Sequence, residues 1–356
     1  MGKGITTTHG MTIGLDVSDR STEACAIDDA GAWGESWRFA TTKEAVTKGL
    51  SRYPGSRVVL EVGCHSPWMS RQLKESGFEV IVANPRRVRL ISQSDKKNDK
   101  SDAEQLARLG RVDPDLLSPI SHRGEEAQRD RVLLLARDGM VRARTMFINQ
   151  ARGFAKSLGS RLPSSSSEAF AKRVRAAVSE DLFPGLSTML RMIDQLTQEV
   201  RALDREVEKL SRNRYRETAL FRQIPGVGPL TALAYVLTLE DPTRFANSRA
   251  VGAYLGLRPR QRDSGGHRPQ LRITKAGDSM LRRLLVSASQ YILGPFGPDT
   301  DLRRFGLRLA EHGGKAAKKR AAVAVARKLA VLLHRLWVTG EQYQAIGYSE
   351  RQGEPA

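Results

Sequence analysis

The sequence predicts an α/β amino-terminal domain followed by a mainly helical remainder. Three observations carry this. Short runs of alternating apolar residues fill the stretch before residue 84, and apolar spacings of three and four dominate from residue 124 to about residue 210. Charge is divided as well: residues 1–120 hold 17 Lys plus Arg against 16 Asp plus Glu, whereas residues 121–356 hold 41 against 23. A near-neutral first part suits a catalytic domain that needs its acids, and the strongly basic remainder suits a grip on a polyanion, with nucleic acid as the default partner.

At 356 residues and 40% hydrophobic content the chain has room for two or three domains with real cores. Cys25 and Cys64 lie outside any metal-ligand pattern, and so few cysteines suit a reducing cytosol. The six histidines show no pair at ligand spacing. The chain has no uncharged apolar run long enough to span a membrane and no signal-peptide core, so a cytoplasmic, membrane-free protein is expected.

After a loose ten-residue tail, Ile13, Leu15 and Val17 alternate with Thr12, Gly14 and Asp16, which predicts a strand carrying one acid. Runs 22–28 and 33–39 follow across short turns and complete an antiparallel meander. A helix over 43–51, a strand over 57–61 ending in Glu61, a helix over 67–76 and a strand over 79–83 come next, then helices near Asn84-Pro85 and from Asn98. In the last of these, Asp99, Asp102, Ala103, Leu106, Ala107 and Gly110 share one stripe, so two aspartates continue a packing face. Converging carboxylates most often hold a hard divalent cation. The competing reading is plain: acids in a first turn are favoured by the helix dipole.

This order of elements, with acids on the first strand, at the end of the fourth and on the last helix, resembles the ribonuclease H-like (RuvC-like) fold of nucleases and transposases. The resemblance implies that the first and fourth strands are neighbours. Asp16 and Glu61 would then meet, Asp99 and Asp102 would lie over them, and one or two Mg²⁺ ions would be held among the four.

Residues 124–159 read as one long amphipathic helix with Leu133, Met140, Phe147 and Phe154 beside Leu134, Val141, Ile148 and Ala155. A Ser/Pro loop at 163–167 breaks it, and Leu186, Met189, Ile193, Leu196, Val200, Leu203, Val207 and Leu210 then give a coiled-coil spacing. Periodicity leaves open whether the partner helix lies in the same chain or in a second copy.

Further on, Ile224-Pro225-Gly226-Val227-Gly228 between apolar runs matches a helix-hairpin-helix, whose Gly226 and Gly228 allow a tight turn able to cradle a phosphate; a plain interhelical turn competes. Ser264-Gly265-Gly266-His267 sits among Arg258, Arg260, Arg262 and Arg268. Glycines let a scissile phosphate approach, the arginines can hold it and Ser264 can attack it, although such a motif is also what a flexible surface loop contains. Lys275 follows in Ile273-Thr274-Lys275-Ala276-Gly277, and the predicted helix 315–337 carries Lys318, Lys319, Arg320, Arg327, Lys328 and Arg335. So many cations on one helix repel each other unless phosphates neutralise them.

Taken in order, Asp16, Glu61, Asn98-Asp99-Lys100-Ser101-Asp102-Ala103, the long apolar repeat, the Pro-Gly-Val-Gly turn, Ser264-Gly265-Gly266-His267, the 273–277 motif and the Ala-rich helix closely resemble the DEDD transposases of the insertion-sequence-110 and 1111 group. The resemblance spans about Met11 to Trp337. It implies a RuvC-like DEDD domain over 1–120, a coiled-coil middle over 121–215, a transposase domain over 216–340 and a tail over 341–356. It also implies a bacterial, nucleoid-associated recombinase that acts on donor and target DNA through a covalent serine–5′-phosphate link and is guided by a structured RNA. Protomers would assemble as a dimer or a tetrameric synapse in which the acids of one face the serine of another. Where many relatives carry two serines before Gly-Gly this chain has Asp263 and then Ser264; Ser279 is the reserve nucleophile. Two other readings stand beside this one: a metal-dependent, structure-specific endonuclease with no covalent intermediate, and a non-enzymatic nucleic-acid scaffold.

Overall fold

The computed structural model describes residues 10–86, 98–177, 184–262, 269, 271–311 and 313–347. The chain divides into two compact units, Met1–Glu125 and Glu126–Ala356.

In the first unit, β1 (Met11–Val17), β2 (Ser21–Asp28) and β3 (Trp33–Ala40) form the expected antiparallel meander. β1 also pairs in parallel with β4 (Arg57–Glu61), and β4 pairs in parallel with β5 (Glu79–Ala83), giving the order β3-β2-β1-β4-β5. This mixed sheet is consistent with a ribonuclease H-like domain. Strand parity then divides the side chains. Ile13, Leu15, Val58, Leu60 and Val82 pack against α1 (Lys43–Leu50) and α2 (Ser66–Glu75) through Val46, Leu50, Met69 and Leu73. On the other face Cys25, Ile27, Val59 and Ile81 are covered by Ala103, Leu106 and Ala107 of α3 (Asp99–Val112).

The small residues of α3 let it lie close on the sheet. Gly14 has no room for a side chain beneath Ala103, and Gly110 sits on Val59, where a Cβ would meet Cγ2 at 2.3 Å. At the start of β4, Arg57 is only 6% exposed. Its guanidinium donates to Glu79 at 2.9 Å and to the Gly110 carbonyl oxygen at 2.9 Å, partners without which a buried cation would be strongly destabilising. Beyond α3 the chain runs beside β5, with Asn84 N–H donating to Leu117 O and Ile120 N–H to Val82 O. His122 Nε2 lies 2.8 Å from the buried Ser66 Oγ. Of the helix expected near Asn84-Pro85, Pro85 and Arg86 are helical, and residues 87–97 lie outside the described residues.

In the second unit, α4 (Glu125–Ser157) and α6 (Pro184–Asn213) run antiparallel. Arg137 pairs with Asp204 and Arg144 with Thr197, seven residues apart on each helix, so the apolar repeat of α6 has a partner within the same chain. Two features differ from expectation. The inward row of α4 is Leu134, Ile148, Ala151 and Ala155, while Met140 and Phe154 are 37% and 57% exposed, because α6 covers only one narrow stripe. A short helix, α5 (Phe170–Ala177), follows the Ser/Pro loop and buries Phe170, Ala171 and Val174 against Ile148, Ala151, Leu190 and Ile193.

The remaining helices are α7 (Thr218–Phe221), α8 (Pro229–Leu239), α9 (Ser248–Tyr254), α10 (Ser279–Leu293), α11 (Asp301–Glu311) and α12 (Lys315–Thr339). They share one core around α8, buried from Thr231 to Leu239. Tyr235 OH donates to Ala330 O at 2.7 Å, and Phe221 meets Tyr235 and Trp337 edge to face. Residues 341–347 fold back on this core, with Tyr343 N–H donating to Gln223 Oε1 and Asp301 N–H to Ala345 O. Among the described residues no helix is long and apolar enough to cross a membrane.

Candidate functional site

Leu15 and Leu60 are register partners in the parallel β1–β4 pair. The next residues, Asp16 and Glu61, therefore sit at the same ends of adjacent strands, on the face of Gly14 and Val59 that α3 covers. The direction of α3 follows from its contacts. Arg111, near its C-terminus, donates to Asp29 O beside the start of β1, whereas Ala103 lies over Gly14 in mid-strand. The first turn of α3, with Asp99 and Asp102, thus points toward the edge at which β1 and β4 end. Asn98 starts that turn by accepting from Ser101 N–H at 2.8 Å.

The backbone brings all four predicted acids to one edge. Asp16, Glu61 and Asp102 are half-buried and Asp99 is exposed. Among the described residues no three His, Cys, Asp or Glu side chains are close enough to enclose a metal ion. Asp16, Glu61 and Asp102 each engage another group. A donor set made only of carboxylate oxygens has the chemistry of a site for a hard divalent cation.

One residue at this edge escaped the sequence reading. His65, in the turn after β4, accepts from the Trp68 indole N–H on Nδ1 at 3.1 Å, and its Nε2 lies 3.1 Å from Asp19 Oδ1. An indole nitrogen only donates, so the His65 proton sits on Nε2 and faces the acid that follows β1. Two scattered residues of this kind give no signal at any fixed spacing.

In the second unit α7 is a single turn, so the helix preceding the Pro-Gly-Val-Gly hairpin is shorter than the sequence pattern implies. Gly226 has φ +86°, which favours glycine, and Gly228 caps α8 with nothing within 4 Å of its Cβ position. The N–H groups of Gly226 and Gly228 donate to no acceptor among the described residues.

The serine motif hangs from a narrow ribbon. Pro259 and Ile273 form an antiparallel bridge, flanked by Arg260 N–H to Arg272 O and Thr274 N–H to Arg258 O. Arg282 of α10, also missed in the sequence, clamps its base by donating to Leu255 O at 2.9 Å and Ala276 O at 2.6 Å. Arg258, Arg260 and Arg262 are exposed on one leg, and Lys275 is exposed on the other with φ +56°. Arg258 donates to Gln261 Oε1. Ser264 and Arg268 lie outside the described residues. Ser279 is the exposed first residue of α10, next to Asp278, which caps the helix and pairs with Arg131.

The cations of α12 separate into two groups. Lys315, Lys318, Lys319 and Arg320 are exposed with no acidic partner among the described residues. Lys328 instead lies 4.1 Å from the Phe305 ring centroid, and Arg327 packs against Gly252.

Residues 13–158 match the family model of the IS110-type DEDD transposases, and residues 218–300 match that of the IS116/IS110/IS902 transposases. The chain is 28% identical to the transposase for insertion sequence element IS1111A of Coxiella burnetii over 93% of this chain and 91% of that one. It is 30% identical to the transposase for insertion sequence element IS1328 of Yersinia enterocolitica, covering 78% and 82% of the two chains. A probable family 20 transposase of Pseudomonas aeruginosa is 27% identical over 70% of this chain and 75% of its own.

Proposed function

The chain belongs to the DEDD transposases of the IS110 family, and we propose that it cuts and exchanges DNA strands through a serine–5′-phosphate ester, with Asp16, Glu61, Asp99 and Asp102 as its divalent-cation site. The observation that carries the reading is the β1–β4 register, which sets Asp16 beside Glu61 at the strand ends toward which the first turn of α3 points.

In the proposed reaction Ser264 Oγ forms a bond to phosphorus as the bond to the 3′ oxygen breaks. The serine proton passes to a base and the departing 3′ oxygen takes up a proton. A 3′-hydroxyl of the exchanged strand then attacks the ester and releases the serine, so the phosphodiester count is conserved and no ATP is needed. Mg²⁺ bound by the four acids would supply Lewis-acid stabilisation of the charge developing on the reacting oxygens. Arg258, Arg260, Arg262, Arg268 and Lys275 neutralise the strand at the serine. The Gly226–Gly228 turn and Lys318 and Lys319 hold backbone phosphates away from it, without reading sequence.

Two partners complete the proposal. A structured guide RNA is supported by the family and by the excess of cations after residue 120. A homo-oligomer, joined along the coiled-coil middle, is supported by α4: Val132, Leu135, Met146 and Phe154 are exposed along it, and Gly139 and Gly153 have nothing within 4 Å of their Cβ positions.

The test is an adduct assay. The purified chain is incubated with Mg²⁺, supercoiled DNA bearing the element ends and RNA transcribed from the flanking segment, and detergent-resistant protein–DNA adducts are resolved on a gel. Adduct is expected from the wild type and from Ser279→Ala, and none from Ser264→Ala. Continued strand cutting by Ser264→Ala without adduct would replace this reading with that of a hydrolytic nuclease. Asp16→Asn and Asp102→Asn are expected to abolish cutting, full cutting by both would take the acids out of the reaction, and a wild type that binds DNA without cutting it would be a scaffold.

A further inference from the structure

We propose that Tyr291 and Phe296 form a stacking site for the bases of an unpaired DNA strand, beside the Pro225–Gly228 turn. The inference rests on the reading above that the protein handles DNA, and adds the state of the strand that it grips.

Tyr291 lies in the last turn of α10, is 49% exposed, and its hydroxyl has no hydrogen-bond partner among the described residues. Its ring touches the hairpin turn: a Cβ on Gly226 would stand 3.0 Å from the ring Cδ1. The glycine therefore lets a half-exposed ring lie against the turn that carries the Gly226 and Gly228 N–H groups, which donate to no acceptor among the described residues. A nucleotide offers the complement, a base for the ring and a phosphate for the N–H groups.

Phe296 is 83% exposed, more than any other large apolar side chain among the described residues. The backbone on either side of it is held in place. Arg303 donates to Ile292 O at 2.6 Å and Gly294 O at 2.5 Å, and Gly297 lies so near Ile292 that a Cβ would meet its carbonyl oxygen at 2.1 Å. Pro295 and Pro298 restrict the rest of the loop. A ring carried on a fixed backbone loses less entropy when it stacks than one on a free loop.

The choice of occupant follows from chemistry. A protein partner would need more apolar surface than two rings beside exposed backbone donors. The excess of cations after residue 120 favours a polyanion. Duplex DNA hides the faces of its bases, whereas an unpaired strand exposes them to aromatic side chains.

Fluorescence anisotropy of the full-length chain tests this with labelled oligothymidine, oligouridine and a DNA duplex of equal length. Tyr291→Ala and Phe296→Ala are each expected to weaken oligothymidine binding about 5-fold or more, as loss of a stacked base does. Duplex affinity and the thermal unfolding midpoint should hold, and Tyr291→Phe should bind oligothymidine like the wild type. Unchanged oligothymidine affinity in both alanine variants would overturn the proposal, as would equal losses on duplex, or a loss confined to oligouridine. A drop in oligomer mass by light scattering would assign the rings to a second copy and overturn it too. Failure of the wild type to bind any of the three probes would instead remove the reading on which the proposal rests.

Discussion

Gly14 of β1 faces the backbone of Ala103 in α3 so closely that a Cβ on Gly14 would stand 1.9 Å from the Ala103 carbonyl oxygen and 2.6 Å from the Ala107 nitrogen. Since neither neighbour is a flexible side chain, Gly14→Val has to lift α3 off the sheet. The expected cost is about 1–3 kcal/mol in urea unfolding. Because α3 carries Asp99 and Asp102, cleavage should be lost even at temperatures where the variant stays folded. Gly63→Ala, with nothing within 4 Å, is the control and should alter neither.

His122 sets an acid limit on the first unit. Burial, followed by Arg71, Arg123 and Lys74, holds its pKa below the ordinary 6.5. Folding therefore favours the neutral ring, while the unfolded chain takes up a proton as soon as the pH passes below about 6.5. Stability from this source is whole above that pH and declines as the pH falls toward the lowered folded value. Thermal midpoints measured from about pH 8 to about pH 5 should fall less steeply for His122→Gln than for the wild type.

Arg144 is 8% exposed between α4 and α6 with no carboxylate partner among the described residues. One nitrogen donates to Thr197 Oγ1 at 3.3 Å, and the buried Nε has no acceptor. An uncompensated buried cation destabilises, so Arg144→Met should raise the stability of the second unit by about 1 kcal/mol or more. Differential scanning calorimetry gives the sign directly, and a lowered midpoint would mean that the guanidinium stabilises this helix pair.

If the exposed row of α4 joins two copies, charge placed on it should separate them. Leu135→Glu with Met146→Glu is expected to shift the oligomer toward monomer in light scattering and to leave helical content unchanged. Met140→Glu, off the row through Val132, Gly139 and Met146, should have a smaller effect.

Local patterns made much of the fold legible. β4 and β5 follow from uninterrupted apolar runs between turns, and α3 from its Asn cap and the stripe Ala103, Leu106, Ala107, Gly110, all of which are buried. Strand parity and helical spacing fix only the face on which each acid sits; that β1 and β4 are neighbours is implied by the resemblance to the ribonuclease H-like fold. What stayed hidden depends on residues distant in sequence. Arg57 at a strand start reads as a surface cation until Glu79 and Gly110 are seen around it. Nothing marks Tyr291 as the neighbour of Gly226. In α4 two apolar rows lie side by side, and periodicity alone does not say which one α6 covers. α5 escaped because eight residues carry too little repeat to distinguish them from the Ser-rich segment before them.

The two legs of the arginine ribbon are locked by a pair of glycines. Gly256 has φ +69° and would press a Cβ to 2.3 Å from the Ala276 backbone, and Gly277 has φ +65° and would press one to 2.1 Å from Tyr254 O. Both positions are closed to every other amino acid, and each closes because of the chain that adjoins the other. Drift at either end is therefore barred, and the main-chain bonds from Arg260 N–H to Arg272 O and from Thr274 N–H to Arg258 O lie between these two stops. Substitutions elsewhere in the ribbon leave these two stops as they are, so its side chains can vary while its anchorage does not.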